Sequence, residues 1–397
     1  MKANKDVVII GAARTPQGKI MGSLSSLRAV DLGAIALKKA LATSGLDPQL
    51  VETVIFGQVV QAGAGQNPAK QTASAAGIPL TTPALTVNSV CLSGLRAVID
   101  AARLIRSGEV QVAVAGGQES MSQAPFLLPD LRSGRVFGAG TLLDALERDA
   151  LTDAQTGESM GLLTERAKDR FGLSRQEQDE IAAASHQRAH AAALAGLFEA
   201  EIAPVQIQGP KGQISEVKTD EGVREGSRVE LLAQLRPAFD QQGTITAGNA
   251  SPLSDGAAAL VLASREFAES QGIKPLATLL TWANTAGPEN ILHYQPSRAI
   301  RAALKKAGLE AADLDHVEIN EAFAAVSAVS ARELGLMLEK VNPQGGAIAL
   351  GHPVGASGAR LVVHAAHALK QNPELTYAAV ALCGGGGQGD ALILRAE

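Results

Sequence analysis

Cysteine and aromatic residues are what this sequence has least of. Two cysteines, Cys91 and Cys383, stand in 397 residues; that is too few for a disulfide scaffold, so a reducing, cytoplasmic setting is the default expectation. Aromatics make up 3% of the chain against a hydrophobic fraction of 46%, so the core has to be assembled from aliphatic side chains and alanine at short range. A surplus of one charge is missing too. The 35 Lys and Arg against 40 Asp and Glu leave a net charge of −5, which gives no electrostatic case for nucleic acid or an anionic membrane as partner. Nor does any apolar run approach the ~18 residues of a membrane span. Residues 7–10, flanked by Lys2, Lys5 and Asp6, are too short for a signal-peptide core and read as a first strand. The expectation is a soluble protein.

Glycine, by contrast, is plentiful: 41 residues, about a tenth of the chain against the usual ~7%. Part of that surplus belongs to a repeat. Ala36-Leu37-Lys38-Lys39-Ala40 returns as Ala303-Leu304-Lys305-Lys306-Ala307, and strand-like 54–57 returns as 317–320. Ser93-Gly94-Leu95-Arg96, with a helical pattern and a strand at 110–115 ahead of Gly116-Gly117, returns as Ser357-Gly358-Ala359-Arg360, a helix through Leu369 and a strand at 377–382. All three segments share an offset of about 265 positions, which chance similarity between Ala-rich helices would not fix. A duplicated α/β unit follows, its buried strands covered by helices. Between the copies the composition turns polar, with a charged amphipathic helix at 174–195 and loops at Gly209-Pro210 and Gly222. The expected division is 1–120 (first core half), 121–245 (an inserted loop domain) and 246–397 (second core half).

Four segments carry the chemistry. Cys91 lies at the start of the helix that follows strand 84–87; the positive end of a helix dipole lowers a thiol pKa and favours the nucleophilic thiolate. His352, in Gly351-His352-Pro353-Val354-Gly355-Ala356-Ser357-Gly358, occupies the corresponding helix start of the second copy, as a base or a hydrogen-bond donor would. Cys383 ends a strand and enters Gly384-Gly385-Gly386-Gly387. No Lys-Ser or Lys-Thr ending makes that loop a phosphate cradle, and converging N–H groups there suit an oxyanion. Asn320, in Asn320-Glu321-Ala322-Phe323-Ala324, reads by spacing alone as a helix N-cap with Phe323 in the core.

Together these segments resemble the thiolase family of acyl-CoA acetyltransferases, with weaker matches at 63–71, 116–122, 235–239 and 247–256. The resemblance spans essentially the whole chain. It implies the thiolase-like duplicated core, layered α-β-α-β-α, and a ping-pong exchange: reversible condensation of two acetyl-CoA to acetoacetyl-CoA, or thiolysis of 3-ketoacyl-CoA. By the same resemblance Cys91 carries the acyl group, His352 activates it and Cys383 trades a proton with the acetyl methyl. The N–H groups of Cys91 and Gly385 hold one oxyanion; His352 and a water on Asn320 hold the enolate. Arg224, Ser251 and Phe239 would contact coenzyme A, Phe323 would line the tunnel floor, and Met160 and Ala247 would lie beside the substrate. Coenzyme A enters as part of the substrate, with no other cofactor and no metal; the implied assembly is a homo-oligomer, a dimer or a dimer of dimers.

Three departures bear on acyl chain length. Ser159 stands before Met160-Gly161 where many members carry His, 291–295 lacks the usual small residues, and Leu92 beside the nucleophile is bulky. Two other readings share the scaffold. A ketoacyl-synthase-type condensing enzyme would use His or Asn where this chain has Cys383; a non-catalytic acyl-CoA or lipid-binding protein would not need all four catalytic types.

Overall fold

Most of the strand-like runs lack polar alternation, as strands buried on both faces do, and the computed structural model, which describes residues 6–209 and 212–397, buries most of them so, with 84–87 partly exposed. Lys2, Lys5 and Pro210 lie outside the described residues. Nine strands form the main path of the sheet: β1 (Val7–Arg14), β2 (Thr53–Gly57), β3 (Ala84–Val87), β4 (Val112–Ser120), β5 (Ser254–Ser264), β6 (Ala277–Ala286), β7 (His316–Ile319), β8 (Tyr377–Gly384) and β9 (Gln388–Arg395). The helices that matter are α1 (Ala29–Ser44), α2 (Pro68–Ala75), α3 (Ser93–Ser107), α4 (Met160–Arg166), α5 (Arg175–Leu194), α6 (Gln295–Ala307), α7 (Ala324–Leu334), α8 (Ala347–Leu350) and α9 (Ser357–Gln371).

The strand order is β7-β8-β9-β6-β1-β5-β4-β2-β3, so β2-β4-β5-β1 on one side mirrors β7-β8-β9-β6 on the other. The senses agree as well: β1·β5 and β5·β4 are antiparallel and β4·β2 parallel, just as β6·β9 and β9·β8 are antiparallel and β8·β7 parallel. Even the irregularity repeats, with a register shift between Ile9 and Gly11 in β1 and between Leu279 and Thr281 in β6. A bulge re-aims the strand beyond it, and finding it twice in equivalent places is the duplication seen in the backbone. The halves meet where β1 pairs β6.

The two-residue period of each strand divides its side chains between layers. Val7 and Ile9 enter a central core with Leu260, Val380 and Leu392, while Val8 and Ile10 enter an outer core with α1 and α2. Ala379, Cys383 and Ile393 enter the opposite outer core with α6 and α7. Helices α3 and α9 fill the centre, which completes the layers α-β-α-β-α. These two helices touch through backbone. A Cβ on Gly94 would lie 2.8 Å from Ala359 N, and one on Gly358 would lie 2.4 Å from Leu95 N. The repeated Ser-Gly pair is therefore the contact that sets the starts of α3 and α9, and the loops before them, side by side.

One strand is longer than its sequence suggests. β4 does not stop before Gly116-Gly117 but runs to Ser120, because a Cβ at 116 would meet Ala258 O at 2.4 Å and one at 117 would meet Gly355 O at 2.1 Å; close neighbours, not a turn, demand glycine there. Among the described residues, 121–253 add no strand to the main sheet. They contribute α4 and α5, the latter capped by Ser174, whose side chain accepts from Glu177 N–H. Buried charges tie this segment to the core: Arg14 bonds Glu201 at 2.7 Å and Asp220 at 2.7 Å, and His364 of α9 meets Glu201 at 2.9 Å. Beside them, donor atoms of His316, Glu318 and His364 lie within 4.8 Å of one another. The Arg360 guanidinium 3.6 Å from Glu318 already opposes that carboxylate, which disfavours a cation there. Among the described residues no helix is long and apolar enough to cross a membrane.

Candidate active site

Cys91 sits on a tight elbow between β3 and α3. Val90 before it has φ 51°, a left-handed conformation that costs a β-branched residue energy. Hydrogen bonds hold the turn: Ser89 N–H donates to Ser93 Oγ at 2.9 Å, Ser93 Oγ–H to Val90 O at 2.6 Å, and Val90 N–H to Asn88 Oδ1 at 3.0 Å. The helix start does not by itself yield a thiolate. Burial pushes the Cys91 thiol up to about 11, and the negative charge of Glu119 adds to this; the N–H groups of Cys91 and Gly385 pull the other way. The lowering expected from the helix dipole is thus outweighed by loss of solvent, and the sulfur needs a base. The two N–H groups acting on it are those that the family resemblance assigns to an oxyanion.

An imidazole stands in the same chamber. His352 follows α8 through Gly351, whose φ of 117° is a glycine conformation, and His352 N–H donates to Ser254 Oγ at 3.1 Å. Its Nδ1 lies 2.6 Å from Ser357 Oγ. Burial, and then the charge of Arg360, push its pKa down to about 3, so the imidazole is neutral, and the same surroundings make it a weaker base than a free histidine. Asn320 is no N-cap: α7 begins after Phe323, and Asn320 N–H donates to Ala381 O at 3.0 Å. Its Nδ2 lies 3.5 Å from each imidazole nitrogen, while its Oδ1 is buried without a partner. Spacing alone pointed to a cap because the strand β7 that ends just before Asn320 could not be seen to deliver it to His352.

Cys383, the last residue but one of β8, is buried, and both burial and the neighbouring Cys91 sulfur push its pKa up. The glycine after it makes room for Leu92: a Cβ on Gly384 would meet Leu92 Cγ at 2.6 Å. Leu92 therefore points into the central core, fully buried, and its bulk says nothing about chain length. The segment 291–295 contributes Leu292 to the cavity, while His293 stacks on Phe171 with ring centroids 4.8 Å apart.

A cavity of about 540 Å³ gathers these groups. Cys91, His352, Cys383 and Gly385 line it together with Met160, Arg224, Phe239, Ala247, Ser251 and Phe323; every residue to which the resemblance gave a role is on its wall except Asn320, which reaches it through His352. Phe239 and Phe323 meet edge to face, 6.1 Å between centroids, and Ser159 is on the wall beside Met160. Reading the sequence missed the groups that hold the loops. Glu321 accepts from Ser185 Oγ–H at 2.7 Å, Ile348 N–H at 3.0 Å and Asn342 Nδ2–H at 3.0 Å, and so fixes α8 ahead of His352. Ser357, quoted only as part of the repeat and the His352 motif, and Glu119 and Ser254, inside the weaker matches, were given no role. The one available signal was a charged residue, Glu119, in the polar end Gln118-Glu119-Ser120 of a strand that begins apolar.

Two family models cover almost all of the chain: "Thiolase, N-terminal domain" matches residues 7–266 and "Thiolase, C-terminal domain" residues 273–396. The chain belongs to the thiolase family. Among similar proteins, a probable acetyl-CoA acetyltransferase of Mycolicibacterium smegmatis is 51% identical over 98% of this chain and 100% of that one. The acetyl-CoA acetyltransferase of Cupriavidus necator is 46% identical over 98% and 99%. The crystal structure of human mitochondrial 3-ketoacyl-CoA thiolase superimposes with a TM-score of 0.95 at 38% identity, covering 100% of both chains. The thiolase chain is an acyltransferase that takes acyl-CoA substrates, and the layered core described above is the thiolase fold.

Proposed function

We propose that this thiolase exchanges acyl groups by a ping-pong route through acyl-Cys91, condensing two acetyl-CoA or cleaving 3-ketoacyl-CoA. The observation that carries the reading is the convergence of two thiols, a neutral imidazole and two N–H donors on one cavity. In the cleavage direction Cys91 gives its proton to His352 Nε2 and attacks the 3-keto carbon. The C–C bond breaks, its electron pair passes to the acetyl-CoA enolate, and Cys383 protonates that carbon. A thiol with a raised pKa stays protonated until then, which suits a donor. The proton on His352 returns to Cys383. Coenzyme A next gives its thiol proton to His352 and attacks acyl-Cys91; the released Cys91 sulfur recovers the proton.

In this reading the N–H groups of Cys91 and Gly385 hold the thioester oxyanion, and His352 with a water on Asn320 holds the enolate. Arg224, Ser251, Phe239, Met160, Ala247 and Phe323 receive coenzyme A and the pantetheine arm. No metal or further cofactor enters. The reaction needs both cysteines reduced, which fits the cytoplasm. Incubation with acetyl-CoA should add one acetyl mass to the peptide of Cys91; a label found on Cys383 alone would overturn the assignment.

We assign the subunit contact to β3. It ends the sheet, and its Leu85 is 54% exposed, so pairing with β3 of a second copy would satisfy its free edge and cover that side chain. Two such dimers would make the homotetramer. Leu85→Lys should shift the light-scattering mass toward the monomer; an unchanged mass would exclude this edge.

A further inference from the structure

A carboxylate inside a fully buried strand needs a reason. β4 is buried along its whole length, and Glu119 within it is fully buried. Its carboxylate accepts three backbone N–H bonds: Val59 at 2.9 Å and Gly355 at 3.0 Å on Oε2, and Val60 at 3.2 Å on Oε1. These donors come from two separate loops. Val59 and Val60 follow β2 in the first half, whereas Gly355 lies three residues beyond His352 in the second. Glycine is required at 355, since a Cβ there would stand 2.7 Å from Glu119 Oε2 and 2.9 Å from both Gln118 O and Gln58 Cα. The sequence thus opens a passage for the His352 loop to reach this carboxylate.

We propose that Glu119 is a positioning residue for acyl exchange: it clamps the His352 loop to the first half of the core and so keeps the imidazole in register with Cys91. The inference rests on the reading of Cys91 as nucleophile and His352 as its base. Two loops from opposite halves must hold sulfur and imidazole in register, and a displacement of about 1 Å can cost roughly a hundredfold in rate. Three N–H donors favour the ionised carboxylate. Burial and the neighbouring Asp255 oppose that, leaving Glu119 at about 7. The charge also acts on Cys91, whose deprotonation it hinders. The other titratable groups on the wall around Cys91 are His352, Cys383 and Glu147, with Arg224 as the cation.

Two substitutions separate reach from charge. Glu119→Gln keeps the length and removes the charge, and turns an NH2 toward at least one of the loop N–H groups. Glu119→Asp keeps the charge and withdraws it by one methylene. In purified, folded enzyme checked by circular dichroism, both should lower the turnover of acetoacetyl-CoA thiolysis by about tenfold or more. Iodoacetamide labelling of Cys91, read by mass spectrometry across pH, should move to lower pH in Glu119→Gln and stay near wild type in Glu119→Asp. Turnover within twofold of wild type in both variants, with only the melting temperature lowered, would reduce Glu119 to a structural prop and overturn the proposal. Acetylation of wild-type Cys91 by acetyl-CoA is measured alongside: its absence refutes the acyl-exchange reading itself, whereas its presence with silent variants refutes only the role of Glu119.

Discussion

The Nδ1 of His352 lies 2.6 Å from the hydroxyl of Ser357, and that contact decides which imidazole nitrogen is left for chemistry. Ser357 Oγ–H has the Pro353 carbonyl 3.0 Å away as its own acceptor, so the oxygen can receive Nδ1–H. Nε2 then keeps its lone pair for the proton of Cys91.

Ser357→Ala should accordingly slow acetylation of Cys91 by about ten- to a hundredfold, within the usual contribution of an oriented general base. Rapid-quench mass spectrometry of the Cys91 peptide measures it. An acylation rate equal to wild type would show that the ring is oriented without this hydroxyl.

The two sulfurs should separate by step. Cys383→Ala leaves Cys91, His352 and the Gly385 loop in place, so acetyl-Cys91 should still form; exchange of solvent deuterium into the acetyl-CoA methyl and all condensation should be lost. Asn320→Ala should slow condensation more than acylation. If Cys383→Ala blocks acylation and spares exchange, the roles of the two cysteines are reversed.

Contact between α3 and α9 is the geometric basis of the site, and glycine makes it possible. Gly358→Val should force the helices apart, because even a Cβ there stands 2.4 Å from Leu95 N. Overpacking of this kind costs about 1–3 kcal/mol or more. We expect a lower melting temperature together with loss of turnover in the fraction that folds, whereas full turnover in that fraction would show that the loops are set independently of the helix contact.

His293 predicts a pH effect with a definite sign. Its ring is buried with neither nitrogen hydrogen-bonded, and burial, then the charge of Arg170, lower its pKa from 6.5 to about 4. Between those values the unfolded chain binds the extra proton, so the folded state loses stability as pH falls below 6.5, by up to about 3 kcal/mol at about 1.4 kcal/mol per unit. His293→Phe, which can still stack on Phe171, should therefore lose less melting temperature between pH 6.5 and 4 than the wild type. An equal loss would place the acid sensitivity elsewhere.

Much of this was legible in the sequence because it is local or periodic. The elbow before α3, the glycine-framed His352, the Cys383 loop and the repeated Ser-Gly pair each lie within a few residues, and both the duplication and the doubly buried strands follow from composition and offset. What local spacing misjudged was whatever depends on neighbours far away in the chain. Asn320 looked like a cap until β7 placed it against His352; Leu92 looked like a pocket residue until Gly384 took its side chain; Cys91 looked acidic until burial outweighed the helix start. Glu119 gave no hint of its partners, since its donors at Val59, Val60 and Gly355 come from two loops that meet only in the fold. By itself the sequence determined which groups are available and which halves repeat. Tertiary structure alone decided their protonation and their aim, because desolvation and hydrogen bonding depend on what surrounds an atom in space, not on what precedes it in the chain.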